Sequence, residues 1–488
     1  MSWTPGELRA AFATRMAAMY GREVPAYATL VAVAAQVNTD VLAREGADAE
    51  RFGSIDRVTA ERHGAIRVGT PEELRQVALI FAALGMHPVG FYDLRDAACS
   101  AVPVISTAFR PTDAVELARN PFRMFTSMLV TDDRRYFSAD LQARLDAFLA
   151  QRVLFTPELI VLAEKAVVRR CLEAEDAETF LTLATGAFEL SVVPVDASWY
   201  TELTAVSAVA ADIGAVSSTH INHLTPRVLD IDELYRRMTA RGMAMIDTIQ
   251  GPPRWAGPDV LLRQTSFRAL DEPRLFRDAA GAVAPGSLRV RFGEVEARGI
   301  ALTSVGRDRY DAMLVEVDTR LGGLTAASRQ GGSSRQAVAE QVWRERLPST
   351  ELGLLRDGLG FFTFTATDPK MISAAAADSR GIARDHHAVA DLVEAGALTA
   401  VPIVYEDFLP RSAAGIFQSN LTTEGRKDAT MTGVRRDAGW LSEVIGAQIA
   451  DPIALYAAQQ DASLRLALDS VSVPQVAARR FAGSSTAP

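Results

Sequence analysis

Residues Ser217–Leu234, SSTHINHLTPRVLDIDEL, have a weaker copy earlier in the chain at His63–Leu74, HGAIRVGTPEEL. With His63 laid on His223, the copies share Arg67 with Arg227, Val68 with Val228, Thr70 with Asp230, Glu72 with Asp232, and Glu73-Leu74 with Glu233-Leu234. Thr70 and Asp230 stand where a helix would begin, followed by acids in the first turn, as capping and the helix dipole favour. Each copy therefore reads as strand, turn, helix. The expected helices run into Gly85-Met86 and Gly242-Met243, with glycine at the stop, and apolar strand-like runs follow at Val89–Leu94 and Met243–Ile249. One repeat at so long a period is an internal duplication rather than a solenoid.

Working outward, Thr4 to about Arg51 has helical periodicity with Pro5 in a first-turn position. After Ser106 long amphipathic stretches fill most of the chain to Val206 and read as a helical insertion between the copies. Residues 287–303, SLRVRFGEVEARGIALT, alternate as a strand does. The Gly/Ser-rich Leu321–Arg335 reads as a mobile loop, Ala400–Leu421 as a buried strand entering a loop, and the last part as helical. The expected organisation is thus 1–105 (helices and first module), 106–206 (helical insertion), 207–345 (second module) and 346–488 (strands, a substrate loop and helices). The fold class is α+β.

The 488 residues are 48% hydrophobic and 23% charged, with a net charge of −9, which argues against nonspecific nucleic-acid binding. Two cysteines, Cys99 and Cys171, build neither a disulfide framework nor a thiolate zinc site. No signal peptide and no membrane-spanning run is expected, so a cytoplasmic enzyme fits best. No Walker A motif, dinucleotide fingerprint or nucleophile elbow is present.

The chain has six histidines, and His63 and His223 occupy equivalent positions of the duplicated unit. Pseudo-symmetry can bring two such strands together. A carboxylate from RFGEVEAR, Glu294 or Glu296, would complete a two-histidine, one-carboxylate set with open positions, the ligand arrangement of non-haem Fe(II) oxygenases. His220 is three residues from His223, and odd spacing on a strand puts the two on opposite faces, leaving His220 as a partner or rival ligand. His386-His387 reads as a solvated helix start and His87 as structural. Arg67, four residues after His63, shares its strand face roughly 13 Å along and offers a bidentate guanidinium for a substrate carboxylate. Arg227 follows Pro226 and reads as structural. The small residues Ala413-Ala414-Gly415 beside Ser412 could let backbone N–H groups approach an anion.

The segments ERHGAIRVGT, NPFRMFTSML, SSTHINHLTPRVLDIDEL, LLRQTSF, RFGEVEARGIALT and VYEDFLPRSAAGIFQSNL, spread over most of the chain, resemble the 2-oxoadipate dioxygenase/decarboxylase family of the vicinal oxygen chelate superfamily. The resemblance implies duplicated βαβββ modules and mononuclear Fe(II) held by His63, His223 or His220, and Glu294, which favours Glu294 over Glu296. The EVEAR of Glu294–Arg298 is also similar to the glutamate strand of 4-hydroxyphenylpyruvate dioxygenase. Arg67 and the loop at Arg411-Ser412 would contact substrate, Arg67 being the candidate for its distal carboxylate. The implied reaction is oxidative decarboxylation of 2-oxoadipate to 2-hydroxyglutarate with O2 in lysine catabolism, the partners being a 2-oxo diacid and O2. A divalent-metal isomerase or lyase on the same fold and a non-catalytic metabolite-binding protein are the alternatives.

Overall fold

The computed structural model describes residues 2–51, 53–96, 102–289, 291–322, 335–367, 385–410, 416, 420 and 425–469. It divides into two compact units, one of Met1–Gly251, Leu262–Arg298 and Glu406–Pro452, the other of Pro252–Leu261, Gly299–Tyr405 and Ile453–Pro488.

The first unit begins with helices α1 (Pro5–Glu23) and α2 (Pro25–Glu45), each opened by a proline in its first turn, as the sequence indicates. Residues 25–50 prove long and apolar enough to cross a membrane by length and composition, which the sequence reading did not anticipate. Leu30, Val33 and Val37 of that helix are nevertheless buried in the unit's hydrophobic core. Strand β1 (Arg62–Val68) leads into α3 (Pro71–Ala83), where Thr70 accepts from the Glu73 amide and Glu73 reciprocates to the Thr70 amide. Gly85, at φ 67°, ends the helix in a left-handed turn that a side chain would strain. Strands β2 (His87–Asp93), β3 (Val104–Arg110) and β4 (Arg123–Leu129) follow.

Two of those strands correct the expectation of a helical insertion from residue 106. Both β3 and β4 are buried along their whole length, so they lack the polar alternation that marks a half-exposed strand. Helices do follow, among them α4 (Ala197–Val206) and the almost wholly buried α5 (Ala208–Gly214).

Strand β5 (His223–Pro226) and helix α6 (Ile231–Ala240), capped by Asp230, repeat the strand, turn, helix sequence. Then come β6 (Leu262–Phe267), β7 (Glu272–Arg277), β8 (Val283–Leu288) and β9 (Gly293–Arg298). The expected strand at Met243–Ile249 makes only isolated bridges, Met245 to Phe267 and Gln250 to Gln264. The long strand expected over 287–303 is broken between β8 and β9.

The central sheet has the order β2-β3-β4-β1-β5, with β1 parallel to β4 and antiparallel to β5. A parallel bridge from Arg227 to Glu296 sets β9 beside the end of β5, and β9 pairs antiparallel with β6. Period-two alternation then sorts the side chains. Ile66, Val68, Met124 and Met128 join Phe12, Leu30 and Phe81 in one apolar cluster, whereas Ala65 and Phe125 join Leu203 and Ile213 in another. His63, Ala65 and Arg67 share parity, so the functional side chains stand on this second face.

In the second unit, helices Ser304–Gly322 and Arg335–Arg346 pack together, and strands Phe362–Ala366 and Leu398–Pro402 pair antiparallel. Most of the loop expected at Leu321–Arg335 lies outside the described residues.

Candidate metal centre

Register places the two duplicated histidines. In the β1–β5 pair His63 is opposite Thr225 and Ala65 opposite His223, so the imidazoles are diagonal neighbours on one face, with ring centroids 5.4 Å apart. The bridge from Arg227 to Glu296 brings Glu294 alongside them. Glu294 Oε2 lies 3.1 Å from His223 Nε2 and 3.8 Å from His63 Nε2. All three residues are buried, and one ligand atom from each falls within 4.8 Å of the others. They line a small cavity together with Phe125, Gln264, Phe408 and Ile416.

A layer of charge stands behind this trio. Nδ1 of His63 is 2.9 Å from Glu296 Oε2, and Glu296 is held in turn by Arg298, with Nε at 2.7 Å, and by Arg123 at 3.4 Å. Burial would raise the Glu296 pKa, but Arg298, His63 and Arg123 outweigh it and bring it down to about 2. Glu61, between Arg227 and Arg123 at 2.9 Å each, is likewise held well below the carboxylate range. An ionised Glu296 fixes the proton of His63 on Nδ1 and leaves Nε2 facing Glu294.

The carboxylate of Glu294 is fixed from its other side. Gln264 Nε2 donates to Oε1, which leaves Oε2 as the oxygen facing both imidazoles. Burial pushes the Glu294 pKa up, and His63 offsets part of the rise. Burial, with His63 and Arg67 adding positive charge nearby, holds the His223 pKa well below its ordinary value, so this imidazole is neutral and keeps a lone pair to give. For His63 burial pulls the pKa down, and the carboxylates of Glu296 and Glu294 more than reverse it. Two imidazole nitrogens and one carboxylate oxygen, converging in a buried cavity, fit a divalent transition metal.

His220 does not join the trio. It precedes β5, with Nε2 3.3 Å from Asp212 Oδ1 and 3.2 Å from the Asn222 amide, and burial pushes its pKa down to about 4. Arg67 is buried on the expected face, where Nη1 pairs with Asp212, and Asn222 donates to that same carboxylate at 3.0 Å. Arg227 forms the buried ion pair with Glu61. His386 and His387 are exposed at the start of a helix capped by Asp385, and His87 is exposed at the start of β2. Arg411, Ser412 and Ala413-Ala414-Gly415 lie outside the described residues. Sequence reasoning missed Gln264, Asp212, Phe125 and Phe408. For Gln264 no local signal existed, because it sits among the polar Arg263, Thr265 and Ser266 in LLRQTSF.

These features define an α+β protein with a buried two-histidine, one-carboxylate trio suited to a metal. The chain belongs to the 2-oxoadipate dioxygenase/decarboxylase family, whose model matches residues 12–420. It is 54% identical over 451 residues to the 2-oxoadipate dioxygenase/decarboxylase of Mycobacterium tuberculosis, covering 92% of this chain and 96% of the relative. Identity to the Pseudomonas putida enzyme of the same name is 39% over 474 residues, or 96% and 98% of the two chains. The crystal structure of the hydroxyglutarate synthase from Pseudomonas putida in complex with 2-oxoadipate superposes with a TM-score of 0.79 at 38% identity, covering 96% of this chain and 99% of that one.

Proposed function

We propose that this chain is an Fe(II)-dependent enzyme that converts 2-oxoadipate and O2 to 2-hydroxyglutarate and CO2, with His63, His223 and Glu294 holding the metal. The observation that carries this reading is the convergence of those three donors in a buried cavity, in a chain 38% identical to a synthase crystallised with 2-oxoadipate. A bound Fe(II) supplies a Lewis acid for a 2-oxo carboxylate and a reducing centre for O2. The substrate carries its own 2-oxo acid, so no second keto acid is needed. As the resemblance implies, the reaction belongs to lysine catabolism, and a cytoplasmic location suits a soluble diacid.

The protein's own groups set the site up for this. Glu296 keeps the His63 proton on Nδ1, and Gln264 turns Oε2 of Glu294 towards both imidazoles. Phe125, Phe408 and Ile416 form an apolar wall that limits water around a reactive centre. Arg67, oriented by Asp212, adds positive charge near His223 for an anionic substrate. Arg411 and Ser412 complete the substrate contacts in this reading.

We read the fold that positions the site as two βαβββ modules. In support, β1-α3-β2-β3-β4 and β5-α6-(245–250)-β6-β9 run in the same order with the same pairing directions. Within each, the first strand lies parallel to the last and the remaining neighbours are antiparallel.

The test is turnover of anaerobically reconstituted Fe(II) protein with 2-oxoadipate and O2 alone. CO2 release and O2 uptake should match one to one, chelation should abolish both, and Fe(II) should restore them. A strict requirement for added 2-oxoglutarate, or turnover without O2, refutes the reading.

A further inference from the structure

Residues Glu406, Asp407 and Phe408 form no regular element, yet all three are buried in the first unit. Irregular backbone in an interior needs partners for its polar groups, and here side chains from elsewhere in the unit supply them. Glu406 pairs with Arg57 and with Arg123 of β4. Asp407 receives a fork from Arg110 of β3, Nε to Oδ1 at 2.8 Å and Nη2 to Oδ2 at 3.0 Å, and its carbonyl accepts from Arg298 Nη1 at 3.1 Å. The Phe408 amide donates to Tyr92 Oη at 3.4 Å. Tyr92 reaches that position where β2 bulges at Gly90, whose φ is 74° and where a Cβ would meet Tyr92 Oη at 2.6 Å.

These contacts aim one ring. Phe408 meets the His63 imidazole nearly at right angles, with centroids 5.0 Å apart, and rests on Phe125 at 4.9 Å and Tyr92 at 6.4 Å. His63 is thus held by Phe408 against its ring, by Glu296 at Nδ1, and by Glu294 and His223 beside Nε2. Arg298 joins two of these supports. It grips Glu296 through Nε and Nη2 at 2.7 and 2.9 Å, while its guanidinium lies 5.7 Å from the Phe408 ring. A buried ion pair adds little net stability, but a fixed one can hold its neighbour in a single arrangement. The neighbour of the Arg110–Asp407 pair is a residue that lines the metal cavity.

We propose that Phe408, fixed by the Arg110–Asp407 ion pair, is a positioning residue that steadies the His63 imidazole for the metal and keeps water away while the second oxygen atom is transferred. The inference rests on the reaction assigned above. In that reaction the C1–C2 bond breaks and CO2 leaves, one atom of O2 enters the new carboxylate at C2, and the other is inserted into the neighbouring C–H bond. Water and a two-electron reductant such as ascorbate open a competing route. There the second atom takes up two electrons and two protons and leaves as water, and the product is glutarate. A dry, fixed wall favours insertion over that escape.

The experiment uses wild type, Phe408→Ala, Phe408→Leu and the double variant Arg110→Met with Asp407→Leu. It measures the ratio of 2-hydroxyglutarate to glutarate formed from 2-oxoadipate by Fe(II)-loaded protein with ascorbate, and metal affinity by chelator competition. Wild type should give 2-hydroxyglutarate almost alone. Phe408→Ala should raise the glutarate share about tenfold or more and weaken metal binding about threefold to tenfold, the worth of one aromatic contact. Phe408→Leu restores apolar bulk without the ring, so it should recover most of the product ratio and not the affinity. The double variant replaces the pair by apolar side chains, so its Tm should equal or exceed that of wild type while its glutarate share rises as in Phe408→Ala. A merely structural role would leave that ratio unmoved. If wild type does not turn over 2-oxoadipate while Phe408→Ala still weakens metal binding, the assigned reaction falls and the support of His63 stands. A wild-type product ratio in Phe408→Ala overturns the proposal, as does unchanged metal affinity, and a wild-type ratio in the double variant overturns the part given to the ion pair.

Discussion

Glu296 stands two residues beyond Glu294 on the same strand face, yet its Oε2 meets His63 at Nδ1, 2.9 Å away, on the side of the ring that turns from Glu294. The two carboxylates therefore divide the histidine between them, one at each nitrogen. Glu294 faces the cavity, and Glu296 is anchored in a buried layer of arginines.

Neutralising Glu296 tests that division. Glu296→Gln removes the charge that fixes the His63 tautomer, and metal affinity should fall about 10–100-fold. Competition with a chelator of known affinity measures it. Glu294→Gln, by contrast, should abolish stoichiometric metal binding, and equal effects of the two substitutions would contradict the assignment.

The choice between the two neighbouring histidines is checked by metal analysis. His223→Ala should lose the metal and His220→Ala should retain it, because His220 is turned towards Asp212 while His223 faces Glu294. Full occupancy in His63→Ala would remove the basis of the site. Loss in His220→Ala alone would reverse the ligand choice.

Acid stability of the metal-free protein should report on His220. Its folded pKa is about 4, held down by burial and by Arg291, Arg67 and Arg274 against the pull of Asp212, whereas an unfolded histidine titrates near 6.5. Between those values the unfolded chain binds more protons, so this stabilising contribution is lost as pH falls from about 6.5 towards 4. His63 acts in the opposite direction. Its folded pKa is raised, so its contribution is complete below about 6.5 and is lost as pH rises through the folded value. The Tm of wild type should therefore drop more steeply from about pH 7 to 5 than that of His220→Gln, and parallel slopes would exclude His220 as the source.

Arg67 and Asp212 form a buried pair, so removing one charge strands the other. Arg67→Ala should destabilise the fold by about 3–5 kcal/mol, and Arg67→Met with Asp212→Leu should recover most of that loss. Chemical denaturation of the single and double variants is the measurement, and additive losses would mean the pair is not coupled. Metal content should be unchanged in Arg67→Ala, while kcat/KM for 2-oxoadipate falls with the lost positive charge.

The sequence by itself determined what depends on local chemistry. Caps at Thr70 and Asp230 and the glycine stop at Gly85 each act over a few residues, so both strand, turn, helix units and the equivalence of His63 with His223 were legible. The buried strands β3 and β4 were not, because a segment covered on both faces loses the period that distinguishes strand from helix. Parity could not separate Glu294 from Glu296, which share a face. The register of β9 against β5 and the distant Arg123 and Gln264 decide which carboxylate meets which nitrogen. The partner of Arg67 lies 145 residues away, on a helix whose own pattern shows only a buried acid. Ion pairs of this kind act through space, and no periodicity along the chain encodes them.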